Sequence, residues 1–403
     1  MIKKPVIGIS GCLAGSAVRF DGGHKRADFL MDKLVEWVTF RPVCPEMAIG
    51  LPVPRPALRL VRSMQGNIRM CFSHDQNEDV TERMTEFSRS YMDKLKDVSG
   101  FVVCAKSPSC GMERVRVYDE NGNRGRKDGV GLFTSTLMEK FSWLPVEEDG
   151  RLHDPVLREN FVERVFALHE LNHLYKEKLS RRELLAFHSR YKLQLLAHSQ
   201  AGYKDMGPFV AAIHEWADLE SYFEVYRDKL MAILRKPASR KNHTNVLMHI
   251  QGYFSNYLST RQRKELSEVI LNYRSGTLPL LAPLTLLKHY LGDQVIVMVT
   301  RIIKKSIRKE DVLGRLGGEE FGIIIKGNTQ KLLLSIAERI RKNIEEQCSE
   351  KLLSHGPEKI TVSIGCFTSK ENNLSPSEML VNADKALYQA KRTGKNKVII
   401  HSK

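Results

Sequence analysis

Apolar residues recur along this chain with rhythms that change near residue 150 and again near 292. Residues 5–10 and 100–106 read as short buried strands, each running into a turn that holds a cysteine beside glycine or proline. Between them, residues 26–39 set Phe29, Leu30, Leu34 and Trp37 at helical spacing, and residues 81–95 form a second amphipathic helix. Residues 121–131 make a glycine-rich basic loop. Two strands that each deliver a cysteine into a turn predict a site at one edge of an α/β sheet, where such folds bind ligands. From about 154 the pattern is helical. Stretches 157–178, 181–199, 207–234, 242–254 and 260–275 carry apolar residues three and four apart, with breaks at Pro237, Gly276 and Pro279. After Gly292 the mixed pattern returns. A helix over 295–307 precedes strands 311–315 and 321–326 around a Gly-Gly turn, then helix 330–347, strand 360–368, helix 376–393 and strand 397–401. The expected fold class is multidomain: an α/β N-terminal domain over 1–150, an all-α middle domain over 151–291 and a partial α/β domain over 292–403.

Charge sharpens this division. The 403 residues carry a net charge of +16, which favours a polyanionic partner such as a nucleic acid. Residues 1–150 contribute +2 of it, 151–291 contribute +7 and 292–403 contribute +7. Seven cysteines, an odd number, are too few for a disulfide scaffold at this length and read as reduced thiols or metal ligands. No segment has the apolar length of a membrane span. Lys3 and Lys4 ahead of Ile9-Ser10-Gly11-Cys12 imitate a lipoprotein cleavage site, but the apolar stretch between them is too short for a signal sequence. The expectation is a cytoplasmic protein.

Three thiols stand at turns: Cys12-Leu13-Ala14-Gly15, Cys44-Pro45-Glu46 and Ser107-Pro108-Ser109-Cys110-Gly111. Thiolates suit zinc or iron–sulfur centres, and turn N–H groups stabilise such anions. Spacing alone does not choose between that and burial, because these intervals are no zinc-finger signature. Cys71, Cys104, Cys348 and Cys366 read as small buried side chains. The ordered blocks Cys12-Leu13-x-Gly15, Val18-Arg19-Phe20-Asp21-Gly22, Pro42-Val43-Cys44-Pro45-Glu46, Gly50-Leu51-Pro52-x-Pro54-Arg55 and Ser107-Pro108-Ser109-Cys110-Gly111 resemble the thiouracil desulfidase family (DUF523). The family more often has tyrosine where this chain has Phe20. The resemblance implies a [4Fe-4S] cluster on Cys12, Cys44 and Cys110 with one iron left open for the sulfur of a thiolated pyrimidine. It also implies Glu46 as proton-transferring carboxylate and Ser107 as its orienting hydroxyl. Asp21, His24 and Arg55 are candidates for shaping the pocket or for structural roles.

In the helical middle, Glu183-Leu184-Leu185-x-Phe187-His188-Ser189-x-Tyr191-Lys192, Leu196-Ala197-His198-Ser199 and Leu280-Leu281-x-Pro283-Leu284-Thr285-Leu286-Leu287 resemble a second family, DUF1722. Chains joining the two resemble desulfidases of 4-thiouridine in tRNA, which implies tRNA as partner and an RNA-binding role for the helices. Arg181, Arg182, Arg190, Lys192, Arg240 and Lys241 are the basic residues available for phosphates; each is equally explained as a solvated surface charge. Nine of the thirteen histidines fall within 151–291, and they read as hydrogen-bonded structural groups because no cysteine or paired acid accompanies them.

The last segment resembles the diguanylate cyclase (GGDEF) family. It does so through Gly292-Asp293, Arg315-x-Gly317-Gly318-Glu319-Glu320-Phe321, Val362-Ser363-Ile364-Gly365, Ala383-Asp384-x-Ala386-Leu387-Tyr388 and Gly394-x-Asn396. The resemblance implies a Mg²⁺ site at Glu319 and Glu320 and a cyclic di-GMP inhibitory site at Arg308 and Asp311. The match starts late, however. In the family a first strand supplies a metal-binding aspartate, and here no acidic residue occurs between Glu268 and Asp293. Two-metal chemistry needs carboxylates from both strands, so the expectation is a tail that makes no cyclic di-GMP, with an interior strand missing from its sheet. The junction at Leu291/Gly292 reads as a fusion or truncation point. The competing readings are a diguanylate cyclase with N-terminal sensory domains and an effector that binds cyclic di-GMP.

Overall fold

A computed structural model describes residues 3–123, 125–326, 329–352, 360–369 and 374–402, the side chains of 178 and 348–352 excepted. Cys348 therefore lies outside the described side chains. The chain forms two compact units, residues 1–243 and 244–403.

The first unit begins with β1 (Val6–Ser10), β2 (Thr39–Val43), the short helix α1 (Pro45–Ala48), β3 (Leu58–Arg62), β4 (Ile68–Phe72) and α2 (Thr81–Tyr91). It continues with β5 (Gly100–Val103), β6 (Val117–Asp119), α3 (Leu132–Lys140) and β7 (Val146–Glu148). A parallel sheet in the order β2-β1-β5-β7 is the scaffold, and β4-β3-β6 form a smaller sheet. Parallel strands covered on both faces carry unbroken apolar runs, and every residue of β5 is buried. Packing is tight enough that a Cβ on Gly8 would fall 2.3 Å from the Phe101 ring. The helix expected over 26–39 is reduced to one π turn at Phe29–Lys33 and a 3₁₀ turn at Leu34–Glu36.

Four helices complete the unit: α4 (Pro155–Lys178), α5 (Arg181–His198), α6 (Gln200–Ala211) and α7 (Leu219–Leu234). Their starts are written in the sequence. Asp154, Ser180, Ser199 and Asp218 each accept backbone N–H bonds of the first turn, satisfying donors that a helix start leaves free. The single helix expected over 207–234 is instead the end of α6, a 3₁₀ turn at Ala212–Glu215 and α7. Asp218 is the reason, since its carboxylate restarts the helix by accepting from Glu220 N and Ser221 N at 3.1 and 2.9 Å. One apolar core runs from Ile7 to Leu234. Gly100 lets α4 approach the sheet, because a Cβ there would lie 2.6 Å from Val165. The helical stretch that reads as one block is thus divided: α4–α7 share the core of the α/β sheet, and the later helices lie in the second unit.

After α8 (Arg240–Tyr253), the second unit holds α9 (Thr260–Ser275) and α10 (Leu281–Ser306). Ser259 and Gln262 form a reciprocal capping box at the start of α9, and Gly276 ends it at φ +91°. Helix α10 runs unbroken through Gly292, where the sequence places a junction. Its first half packs Leu287 and Tyr290 against Leu266 and Ile270, and its second half packs Val299, Ile302 and Ile303 against Ile336 and Ile340. The tail comprises β8 (Val312–Gly317), β9 (Glu320–Ile324), α11 (Gln330–Leu352), β10 (Ile364–Thr368), α12 (Pro376–Arg392) and β11 (Val398–Ser402). Among the described residues its strands form two separate two-stranded sheets, antiparallel β8-β9 and parallel β10-β11. Among the described residues no helix is long and apolar enough to cross a membrane.

Candidate metal centre

Strands β1, β2 and β5 run parallel, so their C-terminal ends lie on one edge, and each end leads to a cysteine. After β1 the chain turns at Gly11, whose N–H donates to Val43 O at the end of β2 (2.8 Å). Cys12 follows immediately. Cys44 is the N-cap of α1, with Pro45 preset for its first turn and Cys44 O accepting from Ala48 N at 3.0 Å. After β5 the chain passes Cys104 and reaches the turn Ser107–Cys110. There Ser107 Oγ accepts from Ser109 N at 3.3 Å and Cys110 N at 3.1 Å, so this hydroxyl shapes the turn. Thr134 Oγ1 donates to Cys110 O at 2.7 Å and fixes the turn to α3.

Glycine at 131 is a steric requirement of that turn. Its φ of −63° suits any residue, yet a Cβ would lie 2.5 Å from Ser109 C and 2.7 Å from Cys110 N. Gly131→Ala should destabilise the first unit by about 1–3 kcal/mol through overpacking. Thermal unfolding would register this as a lower midpoint, and an unchanged midpoint would contradict the packing described.

Structure gathers Cys12, Cys44 and Cys110 and adds Cys104, which the sequence assigns to the core. Cys104 is buried, at 6% exposure, its N–H donating to Ser10 Oγ at 3.1 Å and its thiol to Ala105 O at 3.9 Å. Interaction with Cys104, with burial adding to it, raises Cys12 above the ordinary thiol range, and interaction with Cys12 lowers Cys104. Burial pushes Cys110 and Cys44 up; Cys12 also feels the charges of Cys104, Cys110 and Cys44, and Cys110 those of Glu46, Cys104 and Cys44. All four are free thiols. Among the described residues, no three His, Cys, Asp or Glu side chains converge tightly enough for a single metal ion. A donor set made wholly of thiols, with the backbone N–H groups of Glu46 and Met47 at Cys44, suits a sulfide-bridged iron cluster, which spreads its ligands over several metal atoms. Cys71 and Cys366 are buried within β4 and β10, as the sequence predicts.

Glu46 follows Cys44 by two residues and is firmly held. Arg55 Nε donates to its Oε2 at 2.9 Å, Arg55 Nη2 donates to the same oxygen, and Ser109 Oγ donates to Oε1 at 2.6 Å. The Arg55 side chain is 2% exposed and that of Glu46 14%. Arg55 also donates to Val18 O at 2.9 Å, and Val18 O lies 3.9 Å from Cys44 Sγ. Ser109 was legible only as part of its motif; Ser107, the hydroxyl the resemblance favours, faces backbone N–H groups instead. Phe20 is exposed, its carbonyl accepting from Arg55 N at 2.8 Å and Arg19 lying over its ring. Asp21 accepts from Gly23 N at 3.0 Å, which lowers its pKa, and His24 Nδ1 accepts from Arg26 N at 3.3 Å. Both are loop-forming groups.

All six candidate RNA contacts, Arg181, Arg182, Arg190, Lys192, Arg240 and Lys241, are exposed. Arg181 also donates to Trp216 O at 2.9 Å and Arg190 also pairs with Glu170. Buried histidines of the helices are hydrogen-bonded: His188 to Tyr226 Oη at 3.2 Å, and His198 to Lys236 O at 2.6 Å. Burial lowers His188 to about 4.

In the tail, Gly317 and Gly318 turn the β8-β9 hairpin, with Gly318 at φ +50° and its carbonyl accepting from Arg315 Nε at 2.9 Å. Glu319 and Glu320 are exposed, Glu320 lies 3.5 Å from Lys391 Nζ, and Phe321 packs on the tail's core. Asp311 accepts from Arg308 N at 2.8 Å and Lys326 N at 3.0 Å, so both of its oxygens already hold backbone.

Fold and thiol edge together describe an α/β domain with cysteines gathered at one sheet edge, joined to helices and an α/β tail. The 2-thiouracil desulfurase family profile matches residues 7–149, that of DUF1722, a protein family of unknown function, matches 192–295, and that of the GGDEF diguanylate cyclase domain matches 287–397. The chain carries these three domains in that order, and it belongs to the family of the uncharacterized protein YbgA of Escherichia coli K12. YbgA is 51% identical over 129 residues, 32% of this chain and 76% of YbgA. The probable diguanylate cyclase DgcT of E. coli K12 is 46% identical over 112 residues, 28% of this chain but only 25% of DgcT. A solved structure of the [4Fe-4S]-dependent thiouracil desulfidase TudS is 28% identical, covers 38% of this chain and 95% of its own, and has a TM-score of 0.29. The second and third profiles overlap on residues 287–295, all within helix α10.

Proposed function

We propose that the N-terminal domain is a [4Fe-4S]-dependent desulfidase that converts a thiolated pyrimidine to its oxo form with release of sulfide. The carrying observation is the 2-thiouracil desulfurase match over 7–149 together with the gathering of Cys12, Cys44 and Cys110 on one sheet edge. Those three thiols would hold the cluster. When bound, such a cluster supplies a thiophilic iron that polarises a carbon–sulfur bond. The chain's own residues do the rest. Arg55 and Ser109 fix Glu46 beside the thiols, where its partly open edge takes a proton from attacking water and returns one to the departing sulfur. Phe20, at the rim, offers a ring on which a pyrimidine can stack.

The preferred substrate is 4-thiouridine in tRNA. Support comes from the +7 charge of 151–291 and from the exposed Arg182, Lys192 and Lys241; free thiouracil is the alternative. Anaerobic incubation of reconstituted protein with thiolated tRNA and with free thiouracil discriminates them, since a free-base enzyme leaves the tRNA thiocarbonyl intact.

The tail is proposed to be inactive as a cyclase. Its Glu319 and Glu320 lack acidic partners from a preceding strand, because 269–292 holds no Asp or Glu. Incubation with GTP and Mg²⁺ should yield no cyclic di-GMP by chromatography, and any product would overturn this. Asp311 is held in place by Arg308 N and Lys326 N, each of its oxygens accepting one backbone bond. Calorimetry with cyclic di-GMP should be flat.

A further inference from the structure

We propose that Arg164 and Arg235 form a binding site for a phosphate group, where helices α4 and α7 meet the loop between α3 and β7. The site is separate from the thiol edge and stands whether or not that edge holds a cluster. Arg164 is a buried cation without a partner. It is 7% exposed, and its Nε is buried with no hydrogen-bond acceptor. Among the described residues its guanidinium makes no ion pair either. An uncompensated charge in the interior is costly, and buried guanidiniums are normally matched by anionic or carbonyl oxygens. The acid whose charge it feels is Glu147, itself buried. Glu147 Oε1 is already taken by Arg151 Nε at 2.6 Å and Glu148 N at 3.0 Å.

The surrounding bonds fix where the missing anion belongs. Asn160, one turn earlier on α4, donates to Leu234 O at 2.8 Å and docks the helix on the end of α7. Arg235 follows as the C-cap of α7, and its Nη2 donates to Ser142 O in the loop after α3. Burial, together with the like charge of Arg235, lowers Arg164 to about 10, so both groups are cations at neutral pH. Two such cations repel each other unless an anion lies between them. Residues 229–243 add Lys229, Lys236, Arg240 and Lys241 and contain no Asp or Glu, which makes the approach positive. A phosphate group fits this pair, since each guanidinium presents a planar fork of donors and the tetrahedral oxygens accept from both. Its carrier is free phosphate or the backbone of tRNA.

The test uses the full chain as wild type, Arg164→Met and Arg235→Gln. Thermal unfolding is followed in sodium chloride and in sodium phosphate at matched pH and ionic strength. Phosphate strengthens burial in any protein, so the difference between the proteins is the readout. On changing chloride for phosphate, the wild-type midpoint should rise by at least about 2 °C more than that of Arg164→Met. The rise for Arg235→Gln should fall between them. Equal rises in all three proteins overturn the proposal. Circular dichroism identifies a variant that has not folded. Should that be Arg164→Met, a rise in Arg235→Gln as large as in wild type overturns the proposal by itself. Binding of unmodified tRNA across a range of salt concentrations then identifies the carrier. A salt slope shallower by about one in Arg164→Met marks a backbone phosphate, and an equal slope marks the free anion.

Discussion

Cys110→Ala should fold normally yet lose its visible iron–sulfur absorption and more than about 99% of its desulfidase activity. Even residues one step removed from a metal change affinity by about 10–100-fold, so removal of a ligand should do at least as much. The fold should survive because the turn is held by backbone. Thr134 Oγ1 bonds Cys110 O, Ser107 Oγ caps Cys110 N, and Gly131 N donates to Gly111 O at 2.8 Å. None of these bonds uses the thiol. Cys71→Ala is the matched control, since Cys71 is buried in β4 of the smaller sheet, and its iron content should equal that of wild type. Iron and sulfide analysis beside circular dichroism checks both. Full iron content in folded Cys110→Ala would exclude Cys110 as a ligand.

Glu46→Gln should keep cluster and fold while lowering kcat by roughly 10²–10⁴-fold, the usual contribution of a positioned acid or base. The substitution is close to isosteric. Arg55 can still donate to the remaining amide oxygen, and Ser109 Oγ, now accepting from the amide nitrogen, keeps its contact. KM should change little, because Glu46 is argued to move protons and not to grip the base. Arg55→Ala should behave differently. It strips the 2%-exposed guanidinium from Glu46, Val18 O and Pro52 O together, so stability should fall along with activity. Wild-type kcat in Glu46→Gln with its cluster intact would remove Glu46 from the chemistry.

Much of this arrangement was legible in the sequence, for identifiable physical reasons. The strands that end in Cys12 and near Cys104 are short apolar runs halted by turn residues, and capping residues such as Ser259 and Ser375 announce their helices. Other features leave no periodic trace. Apolar spacing continues smoothly across 207–234, and only the side-chain bonds of Asp218 divide it. Gly292 looks like a break, yet it is carried inside α10 with nothing within 4 Å of its missing Cβ, at the roughly 1 kcal/mol that a helical glycine costs. Cys104 closes an apolar run and reads as core. Its place next to the Cys12 turn emerges only from the pairing of β5 with β1, where its N–H donates to Ser10 Oγ, 94 residues away in sequence. Glu46 was visible as the residue two beyond a candidate ligand, but its clamp by Arg55 and Ser109 required the fold.

The central claim is that an iron–sulfur centre on this sheet edge exchanges sulfur for oxygen on a thiolated pyrimidine. The most direct measurement is sulfide release from 4-thiouridine-containing tRNA by anaerobically reconstituted full-length protein, followed together with loss of the thiocarbonyl absorbance. The account predicts sulfide and uridine appearing in equal amounts over many turnovers. Protein that carries its full complement of iron and sulfide, yet releases no sulfide from thiolated tRNA or free thiouracil, would contradict it.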